Sequence, residues 1–238
     1  SGLGAWLGPG FDSPRLHHMF IGHFAVGFAS KRVAPKSSLA VLLAAPLLAD
    51  LLWPAFLLLG IERVEVTPSS NPFLNLTFLS YPWSHSLVMG LVWAALFAGT
   101  YYALTRYTPG AWMIAVGVVS HWVLDVITHR PDMPLSPWSA RLFGLGLWES
   151  VPATVIVEGA MFIAGILIYT RATTARDRIG RYAWWGLVAF TALGYVLSLL
   201  PSTPPSVTVI GWTALSLGLL TAVWAWWADR HRLVTIVR

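Results

Sequence analysis

The chain contains no cysteine. Disulfides and thiolate metal sites are therefore excluded, and any metal must be held by nitrogen and oxygen. Charge is also scarce: Asp, Glu, Lys and Arg make up 11% of the 238 residues, against about a quarter in an ordinary soluble domain. That deficit excludes a normal soluble fold and points to a membrane class. No repeat, heptad pattern or low-complexity tract is present. Nor is there a basic stripe. The net charge of +5 comes from residues in short segments between apolar runs, which is the pattern of topology control and not of nucleic-acid binding.

What is present is long apolar sequence. Six stretches, 37–60, 84–105, 110–128, 151–170, 182–200 and 207–228, reach the roughly 20 residues that cross a bilayer as a helix. A shorter one, 19–30, precedes them and predicts a re-entrant or interfacial helix, or a packed half-helix. The expected fold class is all-α: a polytopic membrane helical bundle of about six transmembrane helices plus that short N-terminal helix. Many of the 14 Trp residues lie near segment ends, as in interfacial aromatic belts. Residues 1–18 are rich in Gly and Pro and lack the apolar core of a signal peptide. They read as a disordered leader or extension, with His17 and His18 incidental, and 19–238 as one integral-membrane domain. Lys31, Arg32, Lys36, Arg106, Arg171, Arg176, Arg178, Arg181, Arg230, Arg232 and Arg238 fall on one side when the spans alternate. The positive-inside rule makes that side the cytoplasm, with both ends of the six-span core facing it.

Ionisable groups inside these spans are costly and mark functional sites. Asp50 lies about 15 Å below the outer end of the first span and Glu158 about 10 Å from the same face, at 1.5 Å per residue. His85 begins the second span. His121 and Asp125, spaced i, i+4, share one face of the third, and His129 ends it before Pro131. Six groups from four helices thus converge on the outer half of the membrane, and His with Asp suits a borderline metal such as zinc. Pro46 and Pro54 bracket Asp50 and predict a kinked or opened backbone around it. Ser84 and Ser86 flank His85 and could orient its second nitrogen. His23, seven residues before Lys31-Arg32 with His23 itself excluded, is placed by depth either near the midplane or at the interface.

At these residues the chain resembles a family of inner-membrane, LexA-regulated metal-dependent hydrolases. Gly22-His23 matches its early Gly-His, and Asp50 in LADLLWP matches the first Asp of its Pro-Asp-x-Asp-His. Ser84-His85-Ser86 matches the end of its His-Arg-Gly-x-Thr-His-Ser block, and His121 with Asp125 its His-x-x-x-Asp. Leu52, Trp53 and Ser80 stand where that pattern has a second Asp and two His, which argues against two metals. The resemblance implies a bacterial inner-membrane location. It also implies a metal held by some of His23, Asp50, His85, His121 and Asp125. With zinc there, an open position would carry an acidified water, and one of Asp50, Asp125 or Glu158 is the candidate general base or acid.

A site in the outer half of the bilayer suits a lipid or lipid-linked ester or phosphoester entering laterally. Arg130 and Arg141, in the outer loop 129–150, could meet an anionic head group or be plain loop charges. In ligand type only, the set is also similar to the three-His zinc site of membrane ceramidases. Two other functions use the same residues: an ion- or proton-coupled transporter with a carboxylate and imidazole relay, and a membrane scaffold with a closed structural metal.

Overall fold

In hydrocarbon every backbone polar group needs a partner within its own segment, so long apolar runs fold as helices. The computed structural model describes residues 21–200 and 205–235; the expected leader, with His17 and His18, lies outside them. The helices are α1 Ile21–Val33, α2 Leu39–Ala44, α3 Leu48–Leu58, α4 Pro82–His85, α5 Leu87–Thr105, α6 Thr108–Thr128, α7 Val151–Ala172, α8 Arg178–Ser198 and α9 Val207–Arg230. Their starts follow local chemistry. Ser86, Ser150 and Ser206 accept from the backbone N–H three residues on, and Asp177 does the same at α8, satisfying donors that a helix start leaves open. Pro occupies the first turn of α4, α6 and α7, where its missing N–H costs nothing.

Among the described residues four helices, α5, α6, α7 and α9, are long and apolar enough to cross a membrane. The expected fifth span, 182–200, largely coincides with α8, which matches them in length but opens on Arg178 and Arg181 and is less apolar. The expected first span is not one helix. It breaks at residues 45–47 into α2 and α3, because Pro46 cannot donate to the preceding turn and Leu48 N–H turns to the Ala45 carbonyl instead. The opening therefore falls one turn before Asp50 and not around it, and α3 continues through Pro54.

Of the forms expected for it, α1 adopts the packed half-helix. Nine of its 13 residues are buried, clasped between α7, α2 and α6. Two glycines allow this approach. A Cβ on Gly165 of α7 would stand 2.6 Å from the Ala25 Cα, and one on Gly27 would stand 2.9 Å from the Leu43 Cα. Small residues at helix crossings are the usual way membrane helices gain contact. Phe28 then packs into an aromatic core, 4.9 Å between ring centres from Trp184, with Phe162 and Tyr169 around it. By contrast α5, α7 and α9 leave Leu91, Leu96, Ile156, Ile163, Leu219 and Val223 exposed. Continuous apolar surface of that kind is anomalous in water and expected against lipid.

The bundle has two distinct ends. At the basic end, Lys31 Nζ donates to Asp229 Oδ2 (2.6 Å) and to the Ser37 carbonyl (2.8 Å), while Tyr169 donates to Asp229 Oδ1 (2.8 Å). Arg232 donates there to Thr173 and to the Gly180 carbonyl, and strands β5 Thr173–Ala175 and β6 Arg232–Val234 pair. At the opposite end, the loops 61–83 and 129–150 carry two short antiparallel hairpins. These are β1 Arg63–Val66 with β2 Leu76–Ser80, and β3 Met133–Pro134 with β4 Leu142–Phe143. The fold is thus mostly helical with small strands at both ends, a feature that an all-α expectation omits.

Candidate metal centre

The break between α2 and α3 does more than bend the chain. It presents the Pro46 carbonyl to His121 Nδ1 at 2.8 Å. A carbonyl only accepts, so Nδ1 carries the hydrogen. His121 Nε2 then points at Asp125 Oδ2 from 3.0 Å without meeting the directional requirement of a hydrogen bond. His23, on the buried face of α1, places Nε2 3.1 Å from Asp125 Oδ1, and its ring stacks on that of His121 with centres 4.1 Å apart. His85, at the end of α4, brings Nε2 to 3.7 Å from Asp50 Oδ1 and 3.9 Å from Asp125 Oδ2.

The five residues singled out from the sequence as metal ligands are therefore neighbours in space. They form two overlapping triads, His23–His121–Asp125 and Asp50–His85–His121. Within each triad the donor atoms lie within 4.8 Å of one another. The helix that holds His23 runs from this site toward Lys31 at the basic end, which resolves its depth: His23 sits with Asp125, not at an interface. Every member is buried except Asp50, whose side chain is 42% exposed. A small cavity of about 10 Å³, about one water in size, lies against His85, His121, Ser84 and Trp93.

Buried imidazole nitrogens and carboxylate oxygens at 3.0–3.9 Å, with His121 Nε2 facing an oxygen it does not hydrogen-bond, suit N/O coordination of a divalent ion. His121 Nδ1 on a backbone carbonyl and His85 Nδ1 on Ser84 Oγ (2.7 Å) supply the outer contacts that metal-bound imidazoles require. The residues fit.

Other expected residues fall outside the triads. His129 Nδ1 pairs with Asp132 Oδ1 (3.0 Å) and its ring lies 4.3 Å from Trp148 and 5.3 Å from Phe78. It is part of a roof in which the Tyr81 hydroxyl also donates to Asp132 (3.0 Å). Burial and the Asp132 carboxylate push the Tyr81 phenol well above its ordinary range. Glu158 is fully buried, accepts from Trp148 Nε1 (3.3 Å), and lies beside Tyr195 and the Ile21 backbone. Arg130 and Arg141 are exposed in the outer loops.

Two contributors escaped the sequence reading. The Pro46 carbonyl carries no side-chain signal. Glu62, 2% exposed, accepts from the N–H groups of Trp83 (2.8 Å) and Ser84 (2.9 Å) and from the Ser84 hydroxyl (2.6 Å). The available signal was Gly60, a helix-ending residue two positions earlier. On the far side of α6, a groove of about 660 Å³ runs between α5 and α6, lined by Leu91, Trp112, Val116, Val119 and Val123 with Val26 of α1.

Compared with known proteins, residues 14–204 match the family model described as YdjM inner membrane protein. No curated protein and no solved structure matches the chain significantly.

Proposed function

The chain belongs to the YdjM inner membrane protein family, and from that premise we propose that it is a metal-dependent hydrolase acting within the membrane on a lipid or lipid-linked ester or phosphoester. The observation that carries this reading is the contrast between Asp50 and the rest of the cluster. Four candidate ligands are buried, and the Asp50 side chain is partly exposed. A structural metal site closes all its positions with protein, whereas a catalytic site leaves one accessible.

Three of His23, His85, His121 and Asp125 would hold the metal, zinc first, leaving a position open on the side of Asp50. Bound zinc supplies a Lewis acid and an acidified water. The chain's own groups do the rest. The Pro46 carbonyl holds His121 with Nε2 directed inward. Asp125 sets its two oxygens toward His23 and His121, which fixes the two imidazoles relative to each other. Asp50, the accessible carboxylate, is the candidate to take a proton from an attacking water at an oxygen 3.7 Å from His85 Nε2 and to return it to a leaving group. Glu158, held by Trp148, stands outside the two triads.

The apolar surfaces of α5, α7 and α9 and the groove between α5 and α6 favour a substrate with acyl chains. Transport is less favoured, since the polar groups gather at one end and Phe24 and Phe28 of α1 separate them from the Lys31–Asp229 pair by an aromatic core. The basic end is assigned to the cytoplasm and the metal end to the outer half of the bilayer.

The test is hydrolysis of fluorogenic lipid esters and phosphoesters by protein in nanodiscs, with and without chelator. Turnover should be abolished by chelation and restored by zinc, and Asp50→Asn should lose at least about 100-fold, the usual contribution of a general base. Chelator-insensitive turnover, or full activity in Asp50→Asn, would remove this mechanism.

A further inference from the structure

His85 reaches the centre only through Nε2, so its value as a ligand depends on which ring nitrogen carries the hydrogen. We propose that Glu62 makes that choice: it is a positioning residue that acts through Ser84 to hold His85 with Nδ1–H outward and an Nε2 lone pair toward the site. This rests on the metal reading above for its consequence, but the relay is defined by contacts that need no metal.

The direction follows from counting protons. The Glu62 carboxylate only accepts, and it is buried among three donors: Trp83 N–H, Ser84 N–H and the Ser84 hydroxyl. The hydroxyl has one hydrogen. At 2.6 Å to Glu62 Oε2 that hydrogen is committed there, and the contact to the Tyr81 carbonyl, at 3.4 Å, is the weaker alternative. Ser84 Oγ can then only accept from His85 Nδ1 at 2.7 Å. Reversing the chain would require a hydrogen on Glu62 in place of one it receives. Nε2 is left facing Asp50 Oδ1 and Asp125 Oδ2.

The fold builds this relay deliberately at the end of α3. Gly60 N–H bonds to the Leu57 carbonyl and Ile61 N–H to the Phe56 carbonyl, with Gly60 at φ 71°. That is a Schellman ending, which needs a left-handed residue after the cap. It turns the chain back at once, and Glu62 N–H also reaches the Phe56 carbonyl. The side chain is thereby aimed at the start of α4 instead of at solvent.

The experiment is ¹⁵N NMR of histidine-labelled, metal-free protein in detergent, paired with zinc affinity by competition titration. In the wild type, His85 should be the Nδ1–H tautomer. In Glu62→Gln, the amide oxygen still accepts the two backbone N–H groups, but the amide NH₂ must donate to Ser84. The Ser84 hydroxyl then turns to His85 Nδ1 and the ring hydrogen moves to Nε2. Zinc affinity should fall about 10–100-fold, the usual effect of losing an outer-sphere partner. Ser84→Ala should lose affinity similarly, and Ser84→Thr, which keeps the hydroxyl, should retain it. A structural role alone would not move the tautomer. A wild-type Nε2–H tautomer would overturn the relay, and it can be read even if Glu62→Gln fails to fold. So would an unchanged tautomer and unchanged zinc affinity in Glu62→Gln. If the tautomer switches as described but no variant binds zinc, the relay stands and the hydrolase reading falls.

Discussion

Asp125 is the residue on which the centre turns. One carboxylate oxygen faces His23 and the other faces His121, so Asp125→Asn keeps one of these acceptors and turns the other into an NH₂ donor. Zinc affinity should fall by at least about tenfold, as for loss of a single ligand-orienting contact, and competition titration checks it. At the basic end the residue-scale prediction concerns stability. Lys31 and Asp229 form a buried pair at 2.6 Å, and removing one partner strands the other. Lys31→Met should cost about 3 kcal/mol, seen as a lower unfolding midpoint in detergent.

A milder effect belongs to Asp177, which accepts from His231 and from Gly180 N–H and is held below the ordinary carboxylate range by them, His231 first. Its folded-state pKa is depressed, so its contribution is fully present above the unfolded value of 3.8 and is lost as pH falls through the lower folded one. Thermal midpoints of the wild type should therefore hold down to about pH 4 and then decline. In Asp177→Asn, which still caps α8, that part of the decline should be absent.

Elements decide where these residues meet. The broken α2–α3 segment is the clearest case, because Pro46 both ends α2 and leaves its carbonyl for His121. Pro46→Ala restores an N–H and permits a continuous helix, so it should keep the protein folded while weakening zinc binding, measured on the same titration. A second element-scale prediction lies at the α1–α7 crossing. Gly165→Val adds side-chain atoms where even a Cβ would sit 2.6 Å from the Ala25 Cα. It should lower stability by about 1–3 kcal/mol through overpacking and displace His23.

The break itself was foreseeable, since two prolines bracket Asp50 in an apolar run, but its place was not. Either proline can open a helix, and packing chose Pro46. The i, i+4 spacing of His121 and Asp125 and the depth count for Asp50 and His85 were readable because helical rise converts sequence into height. His23 was readable only in part. Its depth depends on α1 packing as a buried half-helix against Gly165 and Gly27, a tertiary fact. Glu62 was hidden because it lies in a tight return whose target, Ser84, is 22 residues away.

At the scale of the whole molecule, composition alone excluded a soluble fold, and four helices have the length and hydropathy of membrane spans. The remaining two expected spans show why hydropathy loses resolution inside a bundle. One is interrupted at its working site, and the other begins with arginines that anchor the basic end. The strands at the two ends were not legible, as they are two to five residues long, show no strong alternating pattern, and in β5 and β6 pair across α8 and α9. If metal is bound only by the folded bundle, saturating zinc should raise the unfolding midpoint. A concentration 100 times the dissociation constant corresponds to about 2.7 kcal/mol.

The most direct test of the central claim is the metal content of the detergent-purified protein by mass spectrometry, prepared without chelator and compared with His121→Ala, the residue shared by both triads. About one zinc or other transition-metal ion per chain in the wild type, lost in a folded His121→Ala, is the predicted result. A wild type that folds normally and carries no metal, or a His121→Ala that keeps its full complement, would contradict it.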